Sequence, residues 1–557
     1  MRKRVTFMKK FLAVLLSLCL LFSCGTIYVS ADDASEYVLE GYTEKEAENV
    51  FIKFLYNFLD LLIELLVWTV NVILPDPSDW VDMDDYETEN VLEGTTEFLS
   101  EPAEDAVWSM GYSSASLIEG LDIMDGTYYV AGGLSLSTKT VSSIVDDLRV
   151  RTIAMDDGSD RGITVFVTVD AYGLSSTTVR EIREYLAEEI ETYNIVSLNV
   201  SSLHQHSAVD TYGLNGSILS ELLNPIRNLL GIEMDNGIND TYMENMYEVI
   251  AQTVTEAIES MTTGTLYYGT ADISDYVVDK RAPYVLDTSI DRFRFVPSDG
   301  GREIWFTTSP IHCTGLGADG TDVSGDYPYY IEQYINEYAN ADFLMVMSAN
   351  QATRQDKTVA SENYDGDWSS LTKAEQVELY GYSLAELICD ITEETEVEPL
   401  LNIAHTEIFL KATNPILVFA AKMGLLENTV VRDSFCSYSV ASEIGYMELG
   451  TSIAVIFSPG ELAAELAYGG TLSADVAWNG TDWEYPSLNE IIGSEKHLII
   501  FSLTNDQCGY IIPDNDFMPY ADEDGRALEI SSLGENTAST FVTEFMDFYS
   551  TLTERYN

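Results

Sequence analysis

Basic residues, histidine and cysteine are what this sequence has least of for its size. Its 557 residues carry 28 Lys and Arg against 92 Asp and Glu, a formal net charge of −64. Such a surface repels phosphate backbones, which excludes nucleic acid as a partner, and it is unsuited to electrostatic docking on anionic lipid. Of the six cysteines, Cys19 and Cys24 fall in an apolar leader. The others, Cys313, Cys389, Cys436 and Cys508, are too few to build a fold of this size from disulfides, though one or two bridges fit their number. There is no G-x-S-x-G elbow, no H-E-x-x-H, no P-loop and no dinucleotide fingerprint of a strand, a glycine turn and a helix. Ser370-Leu-Thr-Lys373 has the S-x-x-K spacing of penicillin-binding enzymes. No Lys-Thr-Gly follows it, and Thr372-x-x-Glu375 reads better as a helix capping box. Internal repeats and low-complexity arrays are absent as well.

With only five histidines in the chain, the pair in His204-Gln-His206-Ser-Ala-Val-Asp210 is the first feature to examine. It closes a strand–helix–strand pattern. Ile163 to Val169 is β-branched and apolar, as a buried strand requires. Ser175-Ser176-Thr177 supplies caps for a helix to about Ile190, with Val179, Ile182, Leu186 and Ile190 on one face. Residues 195–200 form a second apolar run. A helical crossover favours parallel pairing, and ligands in such sheets gather beyond the carboxyl ends of the strands. If strand geometry persisted, residues two apart would point the same way, giving a metal pair or an acid–base pair. Two ordinary loop histidines are the bland alternative.

The N-terminus reads as an export signal. Arg2, Lys3, Arg4, Lys9 and Lys10 precede the apolar run 11–22, and Val29-Ser30-Ala31 is an A-x-A-like cleavage site. The expected signal peptide is residues 1–31. Leu21-Phe22-Ser23-Cys24 offers a competing lipoprotein box, in which Phe22 is a poor fit. Both place the protein outside the cytoplasm, extracellular or at the cell surface. Residues 32–104 read as an N-terminal extension. Within it, 51–74 is an apolar helix long enough to span a bilayer, with Lys53, Asn57, Asp60, Glu64 and Asn71 in a narrow polar stripe. Acids near the middle argue against a lone spanning helix, since each costs ~2.5–3.5 kcal/mol there. Three placements satisfy the stripe: in a membrane interface, as a lid over a lipid site, or packed on the body. Pro75 ends the helix, and the acidic stretch 76–104 reads as a linker or loose wrapping.

The remaining chain, 105–557, mixes strands and helices without an obvious internal boundary. The expectation is an α/β fold, with mixed central sheets flanked by helices in one large catalytic domain. The helix at 242–261 carries Met243, Met246, Val249, Ile250, Val254, Ile258 and Met261 on one face, a core stripe. Strands are expected at 304–306 (running on to His312), 343–346, 451–458 and 497–503, with helices at 414–424 and 541–552. Glu461 follows a strand at Pro459-Gly460 and reads as opening a helix, where the dipole favours an ionised carboxylate. An ionised carboxylate suits a metal, and a first-turn Glu also suits simple capping.

Taken in order, these segments resemble the catalytic domain of the neutral/alkaline, non-lysosomal ceramidases. The resemblance covers roughly residues 115–525. It begins at Leu121-Asp-Ile-Met-Asp-Gly, Leu148-Arg-Val-Arg-Thr-Ile-Ala-Met-Asp-Asp-Gly and Val167-Thr-Val-Asp-Ala-Tyr-Gly-Leu. It continues through His204-Gln-His206-Ser-Ala-Val-Asp210-Thr211, Lys280-Arg281-Ala-Pro283 and Ile304-Trp-Phe-Thr-Thr-Ser-Pro-Ile-His312. Asn414-Pro-Ile, Phe457-Ser-Pro-Gly-Glu461 and Thr504-Asn-Asp-Gln-Cys-Gly-Tyr510 complete it. The resemblance implies Zn²⁺ held by His204, His312, Glu461 and Tyr510, with His206 and Arg281 beside the metal as catalytic or substrate-binding residues. Two imidazoles and a carboxylate form an ordinary catalytic zinc set. It further implies a secreted amidohydrolase that cleaves the N-acyl bond of ceramide or a related N-acyl lipid with zinc-activated water, and membrane-surface contact through 51–74.

The departures are specific. The family's Gly-Asp-Val-Ser-Pro has no counterpart in 347–355, where Met347-Ser-Ala-Asn-Gln-Ala-Thr-Arg-Gln355 stands and Ser348 is out of register. The resemblance also stops short of the family's C-terminal immunoglobulin-like domain. Two other readings therefore remain: a zinc hydrolase of a different amide or ester, and a non-catalytic lipid-binding surface protein of the same fold.

Overall fold

In the computed structural model, the residues described are 50–132, 139–213, 236–318, 320–349, 352–424, 426–520, 527–552 and 554–556. The expected export signal lies outside them. The apolar, β-branched segments pair into two large mixed sheets. The first runs in the order Ala341–Met347, Glu303–Ser309, Ser289–Pro297, Thr262–Asp272, Trp108–Ser116, Arg149–Asp156, Ile163–Val169 and Ile195–Ser202. Most neighbours are antiparallel, but the pairs at its two ends are parallel: Glu303–Ser309 with Ala341–Met347, and Ile163–Val169 with Ile195–Ser202. The second sheet is built on Ser437–Leu449, flanked by Leu401–Lys411, Val430–Ser434 and Ile453–Phe457. It ends in His497–Phe501, again parallel to Ile453–Phe457.

The sheets face each other across an aromatic core. Phe166, Phe293, Phe295 and Phe306 of the first meet Phe457 and Phe501 of the second, with Met155, Leu344, Ile403 and Met447 around them. Phe166 alone approaches Phe306 at 5.3 Å, Phe501 at 6.1 Å and Phe457 at 6.4 Å between ring centroids, within the range favourable for aromatic pairs. Helices cover the outer faces. Asp240–Glu259 packs Met246, Ile250 and Val254 on the first sheet, so its methionine stripe is core, as its spacing predicts. Thr537–Leu552 covers the second with Phe541, Val542 and Phe545. Lys373–Cys389 begins with the expected capping box between Thr372 and Glu375. The result is a layered α/β sandwich of the expected class.

The sheets are also joined at their ends. Beyond Phe501 the chain passes between the two edge strands of the first sheet: Ser502 N–H donates to Met347 O (2.8 Å), and Ser202 N–H donates to Leu503 O (3.2 Å). This brings the carboxyl ends of parallel strands from both sheets to one place.

Three local expectations are corrected. The helix after Ser175 is two segments, Ser176–Tyr185 and Ala187–Tyr193, broken at Leu186. The strand before His204 ends at Ser202, and His204 has φ 57°, so alternation along a strand does not set its direction. Glu461 does not open a helix. It lies in a two-residue strand, Glu461–Leu462, paired in parallel with Tyr510–Ile511, and the helix begins only at Ala464. The four cysteines in the described residues are free thiols.

The apolar helix is Val50–Ile73, and it lies on the body with Asp60, Glu64 and Asn71 turned inward. Asp60 Oδ1 accepts from Tyr520 N–H (2.9 Å), Asn71 Nδ2 donates to Pro415 O (3.1 Å), and Lys422 Nζ donates to Asn71 O (2.8 Å). Phe58, Leu59, Leu61, Leu62, Leu65, Val72 and Ile73 are exposed. The segment that follows is tied down: Val81–Asp82 extends the second sheet beside Val431 and Arg432, and Phe98 is fully buried.

Candidate metal centre

Four side chains arrive at one point from the ends of parallel-paired strands. His204 follows Ile195–Ser202, His312 follows Glu303–Ser309, Glu461 follows Ile453–Phe457, and Tyr510 follows His497–Phe501. This is the end of a sheet where ligands are expected to gather. The pairing Glu461↔Tyr510 places the last two side by side.

The hydrogen bonds around the imidazoles determine which nitrogen is available. His204 Nδ1 lies 2.8 Å from Tyr172 O, a carbonyl that only accepts, so Nδ1 carries the proton and Nε2 is a bare lone pair. That Nε2 has no hydrogen-bond partner and is 3.6 Å from Glu461 Oε1. At His312, Nδ1 lies 2.9 Å from Thr353 Oγ1, and the Thr353 hydroxyl donates to Pro310 O (2.5 Å). The hydroxyl oxygen therefore accepts from His312 Nδ1–H, leaving Nε2 bare as well. It lies 2.7 Å from Glu461 Oε2. Two imidazole lone pairs thus converge on a carboxylate. All three groups are electron-rich at their meeting point, and all are buried. A cation resolves this repulsion, and imidazole nitrogen plus carboxylate oxygen is a donor chemistry that fits a divalent metal.

His206 adds a third imidazole. The ligand atoms of His204, His206 and His312 lie within 4.8 Å of one another. Its ring is edge-on to His204 at 4.9 Å, and both of its nitrogens lack partners. The Tyr172 ring lies against both histidines, at 4.4 Å from His204 and 5.1 Å from His206.

The electrostatics agree with a metal site. Burial pushes His204 down to about 4, against the pull of Glu461, and the His312 charge lowers it further. Burial, then the charges of His204, His312, Lys139 and Lys280, hold His206 well below its ordinary value. Both rings are neutral near pH 7, as ligands and proton acceptors must be. Burial acts to raise Glu461, but the neighbouring His204 and His312 imidazoles and a hydrogen bond from the Tyr510 hydroxyl hold it below the usual carboxylate range. These neighbours, and not a helix dipole, keep it ionised.

Arg281 is placed differently. Its Nη2 donates to Asp516 O (2.6 Å) and Glu529 Oε1 (3.1 Å), and its Nε is buried without a partner. These contacts fix the guanidinium among carboxylates, not against the imidazoles. Sequence reasoning passed over Tyr172 and Thr353. The first lies in a segment that carried the family resemblance. The second lies in the 347–355 stretch, where only a serine motif was sought and where 350 and 351 fall outside the described residues.

No protein-family model matches the chain, and no curated protein matches it in sequence. Solved structures do. The neutral ceramidase of Pseudomonas aeruginosa superposes with a TM-score of 0.57 at 13% identity, covering 81% of this chain and 75% of that one. A ceramidase solved in complex with C2 gives the same TM-score at 14% identity, covering 81% and 76%. The chain has the neutral ceramidase fold.

Proposed function

We propose that this protein is a secreted zinc-dependent amidohydrolase that cleaves the N-acyl bond of a lipid, of which ceramide is the leading example. The observation that carries the reading is the convergence of two bare imidazole nitrogens on the Glu461 carboxylate, in a fold shared with neutral ceramidases. His204, His312, Glu461 and Tyr510 are assigned as the residues that hold zinc. When bound, the ion supplies a Lewis acid for the amide carbonyl and lowers the pKa of coordinated water to about 7.

The chain's own residues account for the remaining chemistry. Hydrolysis adds water across the amide, giving a carboxylic acid and a free amine, so one proton must travel from water to nitrogen. His206 is assigned to that transfer: it is neutral, free of partners and next to both histidine ligands. Thr353 and Tyr172 hold the ligand tautomers. Arg281, with Nε–H as its unengaged donor and held away from the imidazoles, is assigned to a substrate hydroxyl. No serine nucleophile is required, which is consistent with the missing Gly-Asp-Val-Ser-Pro.

The exposed face of the Val50–Ile73 helix is assigned to a lipid interface, and the acidity of the chain points to a zwitterionic one. Phe58, Leu61, Leu62, Leu65, Val72 and Ile73 face outward while the acids of the helix face the body, and each such apolar side chain removed from water recovers about 1.5–3 kcal/mol. The deciding experiment is release of fatty acid from short-chain ceramide by the purified protein, with and without chelator. Activity lost on chelation and restored by zinc supports the reading. A chelator-insensitive activity, or none on any N-acyl lipid, overturns it.

A further inference from the structure

In a chain this acidic, cations are expected to find carboxylates, and most do. Arg151 pairs with Asp170 and Glu332, Arg183 with Glu443, and Arg294 with Glu303 and Glu394. Among the described residues, Lys280 and Arg354 form no ion pair, and neither do Lys357, Lys373, Lys411 and Arg555; of these, Lys280 lies within the field of the Arg354 guanidinium. A short antiparallel ribbon, Val277–Asp279 with Thr353–Gln355, sets these two together. Lys280 N–H donates to Ala352 O (3.2 Å), so Lys280 and Arg354 are diagonal neighbours on one face of the ribbon.

This ribbon is joined to the metal centre. Thr353, next to Arg354, binds His312 Nδ1, and the charge of Lys280 is felt at His206. Lys280 is solvent-exposed, yet partial desolvation and then the Arg354 guanidinium push its ammonium down to about 8. Two like charges held side by side without a counter-ion destabilise the free protein, and a bound anion relieves them. Acids outnumber bases 92 to 28 here, yet the nearest acid in sequence, Asp279, accepts from Arg281 N–H (2.9 Å) and pairs with neither cation. An acyl chain seeks apolar surface, whereas Lys280 is exposed and Arg354 half-buried, so the anion belongs on the amine portion of a substrate.

We infer that Lys280 and Arg354 recognise an anionic group on the amine side of the scissile bond, so that the preferred substrate is an N-acyl amine bearing a carboxylate, sulfonate or phosphate, such as an N-acyl amino acid. The inference rests on the amidohydrolase reading and narrows its substrate class.

The test compares N-dodecanoylglycine with the neutral N-dodecanoylethanolamine on the zinc-loaded protein. The expected KM is about tenfold lower for the glycine conjugate, with the gap shrinking as salt is raised. Lys280→Gln and Arg354→Gln each raise KM for the glycine conjugate about five- to tenfold, leaving its kcat and both constants of the neutral amide unchanged. Lys280→Arg restores the preference. Equal KM values in the wild type, or variants that shift both substrates alike, overturn the inference while amide hydrolysis stands. If neither amide is cleaved, the amidohydrolase reading falls and calorimetric binding decides the inference. Tighter binding of N-dodecanoylglycine that is lost in Lys280→Gln supports anion recognition, and equal binding of the two amides overturns it.

Discussion

His312 Nε2 and Glu461 Oε2 lie 2.7 Å apart, although the proton that would make this an ordinary hydrogen bond is held on the other side of the ring by Thr353. The same relation is repeated, more loosely, between His204 and Glu461. The site is therefore organised for a cation between ligands and not for an internal ion pair. Removing a ligand and removing a neighbour should give different results. His204→Ala or Glu461→Gln should bring zinc content, measured by mass spectrometry, well below one per chain and abolish turnover. His206→Ala should keep zinc and lose about 10²–10⁴ in kcat, the usual range for a lost proton-transfer group. Loss of zinc in His206→Ala would instead make it a third imidazole ligand.

Thr353 should act through His312. Its hydroxyl accepts from Nδ1–H and donates to Pro310 O, fixing both tautomer and ring plane. Thr353→Val keeps the shape and removes the acceptor. Metal affinity should fall about 10–100-fold, as for other residues supporting a metal ligand, while thermal stability of the metal-free protein changes little. Competition against a chromophoric chelator measures the first, and calorimetry the second.

The large pattern was legible in the sequence because it rests on periodicity. Ile163–Val169, the core methionines of Asp240–Glu259 and the Thr372–Glu375 cap all follow from spacing and burial of apolar side chains. The order of the histidine, glutamate and tyrosine segments was legible only as a resemblance, since nothing local says that positions 204 and 510 meet. Non-local register was the missing information. Glu461 reads as a helix start after Pro-Gly, and only its pairing with Tyr510 makes it a strand. The Val50–Ile73 helix shows the same limit: its stripe is plain in the sequence, but which face meets the body depends on Tyr520, Pro415 and Lys422, far along the chain.

Histidine burial outside the site predicts an acid limb. His405 is fully buried, with Nε2 bonded to Ser197 Oγ (2.9 Å), and burial pushes it down to about 4 despite Glu443 nearby. A histidine depressed in the folded state leaves the unfolded chain to take up the proton first. Its contribution is thus fully present above pH 6.5 and is lost as pH falls from there to about 4, amounting to about 3 kcal/mol. Urea unfolding of the metal-free protein should show stability falling across that window. His405→Gln should flatten part of the slope, and an unchanged slope would remove His405 from the explanation.

Asp60 titrates in the opposite sense, and it lies where the Val50–Ile73 helix meets the body. Burial raises it to about 7, against its hydrogen bond from Tyr520, with Glu64, Glu529 and Glu535 adding repulsion. Glu64 is raised too, by burial and then by Glu535. A carboxyl raised in the folded state stabilises docking below its unfolded value and loses that effect as pH rises through the folded one. The helix should therefore be protected from hydrogen exchange at pH 5.5 and loosen at pH 8.5, while the sheets stay protected throughout. Asp60→Asn should keep it docked at both. Pelleting with zwitterionic liposomes separates docking from lipid contact: removing residues 51–74 should abolish pelleting and raise KM for micellar substrate severalfold, with turnover of a soluble short-chain amide unchanged. Pelleting that survives the deletion would show that the exposed apolar face serves something other than lipid.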